Sequence, residues 1–170
     1  MAKPIQIADA KISLAVTSAI AKLRGDVEAI HRRAAAKHML KSGNTIIEVQ
    51  NECIAVIKSI GDTASQEFSW VLSQSFFANP MTVDECNTSA HRILGGIRDA
   101  CSDVLKNTVN LCGDDRHFAI TEPKLREQEG HSLMAISLAL DTRYSELKLQ
   151  GMRTLLGVIQ RVLYLIIGHR

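Results

Sequence analysis

Proline occurs only at positions 4, 80 and 123 of this 170-residue chain, and apolar residues recur three and four apart between them. Proline is the residue that most reliably stops a helix, and a three/four spacing puts side chains on one helical face. Together these features dictate long helices. Val16, Ile20, Leu23, Val27, Ile30 and Ala34 share one face of a first helix over about residues 7–42. Gly43 suits a left-handed cap at its end, and Asn44 can cap the next helix. Cys53, Ile57, Ile60, Ala64, Phe68, Val71 and Leu72 mark the inner face of a second helix over about 45–78. Gly61-Asp62-Thr63, followed by the capping-box pattern of Thr63 to Gln66, predicts a kink or restart at 61–63. Asn79-Pro80 ends that helix, because the residue before proline is pushed out of helical geometry. Thr82 to Glu85 reads as the capping box of a third helix over 82–112, which Gly113 closes. Gly95-Gly96 within it predicts a close helix–helix approach. Residues 114–130, with Pro123 and mixed charge, read as the longest loop, before a fourth helix over 131–167 that could begin as early as Lys124.

No stretch alternates as a half-buried strand does, and no internal repeat is present. Short connections at 42–44 and 79–81 make sequential helices antiparallel neighbours. The length fits one domain. The expectation is therefore all-α: an elongated up-down bundle of four long antiparallel helices forming a single domain over residues 1–170. With 4% aromatic and 46% hydrophobic residues, its core must be built mainly from Leu, Ile, Val and Ala.

The fourth helix carries more apolar circumference than its neighbours. Leu133, Ile136, Leu140, Tyr144, Leu147, Leu155, Ile159, Val162 and Ile166 form one stripe. Leu138, Leu149, Met152, Leu156, Leu163 and Ile167 form a second, displaced around the helix. A surface helix of a bundle needs a single stripe. Two stripes imply a central helix, an outer face covered by another chain, or a face lying on a lipid-like surface; lipid would favour a basic face opposite Trp or Phe, which this helix lacks. A second candidate contact lies in Phe68 to Phe77, which holds four of the chain's seven aromatic residues. There Trp70 and Phe77 fall off the core face and could anchor a partner, Trp being enriched in binding hot spots.

Charge and cysteine usage narrow the chemistry. Twenty basic against eighteen acidic residues leave a net charge of +2, without the basic excess usual in proteins that neutralise many phosphates. Cys53, Cys86, Cys101 and Cys112 include no CxxC pair, so they read as reduced core residues rather than metal ligands. The opening residues show no charged segment leading into an apolar one, and no apolar run reaches the ~20 residues of a membrane span. These readings predict a cytoplasmic protein with no membrane span. Glu28 and His31 form one ExxH pair, but a di-iron bundle needs two, so no metal or cofactor is expected. No nucleophile elbow and no phosphate-cradling glycine loop occurs, so no catalytic residue is assigned.

Arg33, Lys37 and Lys41 recur every four residues and, with His38, form a basic stripe that could contact nucleic acid. Arg33-x4-His38 resembles the short Arg-x(4–6)-His signature of the HEPN family of helical ribonucleases and RNA-binding domains, and Arg126 to His131 matches the same pattern. The resemblance spans six residues, and Ala34 stands where that family commonly has a polar residue. It implies a dimeric all-α bundle in which Arg and His act on an RNA phosphodiester. The reading carried forward is a non-enzymatic interaction or structural protein. It would self-associate, or bind a protein partner, through Leu138, Leu149, Met152, Leu156, Leu163, Ile167, Trp70 and Phe77. An RNA-acting helical domain is the alternative.

Overall fold

The structure, a computed structural model, describes residues 3–74, 79–113 and 116–167, with side chains as far as Leu156. It is an all-α four-helix bundle: α1 (Pro4–Ala36), α2 (Gly43–Ser73), α3 (Pro80–Cys112) and α4 (Arg116–Ile167). Among the described residues there is no strand. Ion pairs and hydrogen bonds fix the up-down order. Lys11 meets Glu67 and Arg33 meets Glu48, so α1 and α2 are antiparallel. Asp9 meets Arg92 and His31 meets Thr108, so α1 and α3 run parallel. Gln50 donates to the Thr121 carbonyl at 3.2 Å and Gly61 lies against Ser132, so α2 and α4 run parallel too.

The bundle is not square. α2, α3 and α4 pack as a triangle, and α1 leans on α2 with a lighter contact to α3 and none to α4. The parallel pair α2 and α4 approach closely at Gly61. A side-chain carbon added at Gly61 would lie 2.7 Å from Cβ of Ser132. Gly61 is therefore the notch that seats α4, and α2 continues through it without the predicted kink or restart. Thr63 does not cap a new helix; its hydroxyl donates back to the Ser59 carbonyl at 2.9 Å. Gly95 and Gly96 do not mark a close approach. Gly96 has nothing within 4 Å and Gly95 meets only the end of Glu129.

The core is aliphatic, as the composition requires. Ile12, Leu23, Ile46, Ile57, Leu94, Leu105, Leu125 and Ile136 are fully buried, and Phe68 is the one aromatic among the largest fully buried side chains of the described residues. All four cysteines are free and buried. Cys53 and Cys101 face each other across α2 and α3, each thiol donating weakly to the other's carbonyl at 3.7 and 3.8 Å.

Helix ends depart from expectation for identifiable reasons. α1 stops at Ala36, not near residue 42, because the chain closes in a paired turn: Met39 N–H donates to the Ala34 carbonyl at 2.8 Å and His38 N–H to Ala35 at 3.0 Å. His38 takes the left-handed conformation (φ 55°) that was expected of Gly43. Gly43 instead opens α2 behind Ser42. α3 begins at Pro80, where Asn79 accepts from Met81 N–H at 3.0 Å, so Asn79 rather than Thr82 is the cap. Gly113 closes α3 with φ 73°, as expected.

The largest correction concerns residues 116–130, which are helix rather than loop. Their inward positions include Thr121, which is buried yet polar, and this interrupts the apolar period. Buried Leu125 anchors the segment, while Pro123 sits on the exposed side. There the carbonyl that loses its helical donor faces water, which lowers the cost of an internal proline.

The two glycine environments predict opposite outcomes. Gly61→Ala should lower stability by about 1–3 kcal/mol through overpacking, and adding Ser132→Gly should recover part of it. Gly96→Ala, in open space, should raise stability by about 0.4–1 kcal/mol. Urea unfolding of the variants checks both, and a tolerated Gly61→Ala would refute the notch.

Candidate functional site

α4 has 52 residues, whereas α1, α2 and α3 have 33, 31 and 33. Its first part packs into the bundle: Ile136 and Leu140 are buried, and Leu133, Tyr144 and Leu147 rest against the core. Beyond Leu147 the helix has outrun its partners. Lys148 to Leu156 are exposed apart from half-buried Gly151, while the helical backbone goes on to Ile167. Leu149, Met152, Leu155 and Leu156 are 54%, 50%, 62% and 63% exposed.

This separates the alternatives left by the two stripes. α4 is not a central helix, since α1 does not touch it. Its second stripe is its outer face: Leu138 is exposed on the bundle, and Leu149, Met152 and Leu156 are exposed beyond it. The side chains of Leu163 and Ile167, and all of Phe77, lie outside the described residues. The first stripe divides at the bundle's end: Leu147 is covered and Leu155 is bare.

Trp70 is placed differently from expectation. It is half-buried against the core, and the Lys11 ammonium lies 4.9 Å from its ring centroid. Glu67 holds that ammonium at 2.9 Å. The indole face is thus occupied by the chain's own cation, a contact worth about 0.5–1 kcal/mol at an exposed site.

The basic residues near the end of α1 do not form one helical stripe. Only Arg33 lies on the helix, where it pairs with Glu48 of α2. Lys37 is the terminal cap, and His38 and Lys41 lie in the turn that follows. Among the described residues no hydrogen bond joins Arg33 to His38. Arg126 pairs with Glu122 at 2.7 Å, and His131 stands about 140° around α4 from it, so the two do not converge.

A feature the sequence did not disclose is a groove of about 680 Å³ between α1 and α3, open because α1 leans toward α2. Leu23, Val27 and Val104 form its apolar floor, with Thr108 beneath. Glu28 and His31 both face it, as their spacing allows, and Asp103 stands opposite. The Thr108 hydroxyl gives its one proton to the Val104 carbonyl at 3.0 Å. The 3.2 Å contact with His31 is therefore donated by the imidazole Nε2–H. Burial pulls the His31 imidazole below its ordinary value of 6.5. Among the described residues no cluster of His, Cys, Asp and Glu is placed to hold a metal ion. The groove could be foreseen only from the register of α1 on α3, which neither helix encodes alone.

The cysteines are poorly placed for nucleophilic work. Burial, beside Glu85 and Asp9, pushes the Cys86 thiol up to about 12. The neighbouring Cys101 thiol and burial raise Cys53, and burial raises Cys112. A thiol raised in this way holds little thiolate near neutral pH. No helix among the described residues is long and apolar enough to cross a membrane. No protein-family model, no curated protein and no solved structure matches this chain.

The His31 environment sets a pH dependence. The unfolded chain takes up this proton near pH 6.5, while the folded chain resists it to lower pH. The stability tied to neutral His31 is complete above that value and is lost as pH falls toward the folded one. The stability of the native chain relative to His31→Gln should therefore fall as pH is lowered from above 6.5 to below it. A difference that stays constant over this range in urea unfolding would contradict the assignment.

Proposed function

We propose that this protein is a non-enzymatic building block that self-associates through the extension of α4 beyond the bundle. The observation that carries the reading is the run of Leu149, Met152, Leu155 and Leu156, all at least half exposed on a helix that has no neighbour there. Each such side chain gains about 1.5–3 kcal/mol on full burial. Starting from half shielding, four of them still offer several kcal/mol to a covering surface. The surface ion pairs of the bundle are worth about 0–1 kcal/mol each and cannot compete with that term.

Helix stability points the same way. A helical segment without tertiary packing is marginal in water at this length. Gly151 weakens the extension further, by roughly 1 kcal/mol against alanine. Cover from a second copy supplies what this stretch lacks within its own chain. The rest of the molecule supports a passive role: the thiols are buried, Trp70 is capped by Lys11, and the Arg and His residues of the basic segment do not converge on a common point.

Leu156→Glu places a charge in the middle of the extension without touching the bundle. The expected result in sedimentation velocity is a smaller species than the native chain at equal concentration, with the helical circular dichroism of the bundle retained. An unchanged sedimentation coefficient in a folded variant would remove the reading.

A further inference from the structure

Two unsatisfied features lie toward opposite ends of the molecule. The extension of α4 leaves the bundle where α2 ends and α1 begins. The α1/α3 groove runs from Ile20 to His31 on α1 and from Ala100 to Leu111 on α3, in the half nearer the other end. In the half nearer the exit of α4, Asp9 bridges α1 to α3, accepting from Ser89 at 2.5 Å and from Arg92 at 3.1 Å, and this contact divides the groove from a second cleft of about 550 Å³ at that end. The groove opens beyond that tie. A continuous helix directed away from the bundle cannot turn back to fill its own chain's groove. A second copy, stacked below in the same orientation, presents its groove end toward the extension of the first.

We infer that the α1/α3 groove is the acceptor site for the α4 extension of a second copy, so that chains associate head to tail. This inference rests on the self-association reading above and names the surface that reading leaves open. Leu149, Met152 and Leu156 are spaced as i, i+3 and i+7, the anchor pattern of a helix lying in an apolar groove. The groove spans roughly 17 Å along α1, and the helix beyond Leu147 spans roughly 30 Å. The extension is therefore long enough to cover the full acceptor.

Charge selects this occupant over a second extension. After Glu146 the sequence contains Lys148, Arg153, Arg161 and Arg170 and no acidic residue. Two extensions side by side would bring like charges together. The groove offers two carboxylates, Glu28 and Asp103, against the single guanidinium of Arg24. No salt bridge ties either carboxylate to a cation among the described residues. Docking would give both carboxylates cationic neighbours over an apolar floor. Because donor and acceptor differ, the contact is heterologous and leaves a free end on each chain.

The test uses two full-length variants. Leu156→Glu disables the extension. Leu111→Lys disables the groove at a rim residue that is 48% exposed and so is tolerated by the fold; Asp103→Lys, at an exposed position, serves the same purpose should the first variant lose helicity. Light scattering is read for each variant alone and for their equimolar mixture. The expected result is that each alone has the mass of one chain, while the mixture forms a complex of two and stops there. It stops because only one intact extension and one intact groove meet. Raising salt should weaken that complex. A folded groove variant that keeps the native mass overturns the inference and leaves the self-association reading standing. Native mass in both variants overturns both. A mixture that stays at one chain overturns the head-to-tail pairing.

Discussion

Position 61 has no side chain, and the rest of the architecture follows from that. With no side chain on Gly61, the Ser132 side chain of α4 seats directly against the α2 backbone, and the parallel pair packs closely there. α2, α3 and α4 then close as a triangle, leaving α1 to pack on the far side of α2 and α3. A square bundle would have shared the cover evenly. Here α1 never reaches α4, and its lighter contact with α3 leaves the groove floored by Leu23, Val27 and Val104.

The second determinant is a mismatch of length. Three helices of similar span can cover only as much of a fourth as they are long. From Lys148 to Leu156 α4 is exposed apart from half-buried Gly151, and its sequence does not become polar to compensate: Leu149, Met152, Leu155 and Leu156 follow in close succession. Capping, ion pairing and helix propensity are each worth on the order of 1 kcal/mol or less per site. Burial of four large apolar side chains is the bigger quantity, which is why the proposed self-association rests on it.

How far the sequence predicts this structure depends on the residue doing the work. Apolar period alone places α2 and α3, because Cys53 to Leu72 and Val83 to Cys101 keep their large side chains inward. It misses the start of α4, where buried, polar Thr121 occupies an inward position and Pro123 suggests a break. It misreads the glycines: Gly61 resembles a breaker but is a packing notch, while Gly95-Gly96 resembles a notch but meets open space. The end of α1 is set by His38 adopting a left-handed backbone, a choice glycine makes more often. The exposed stripe of α4 is legible because amphipathicity is a property of one helix. The α1/α3 groove is not, because it arises from the tilt of one helix relative to two others.

The central claim is that the apolar extension of α4 is covered by another copy of the chain. The most direct measurement is the mass of the native protein in solution by multi-angle light scattering across a dilution series. The account predicts a mass above the 18.7 kDa of one chain, falling toward it on dilution. A mass of one chain at every concentration, with the helix content undiminished, would contradict it.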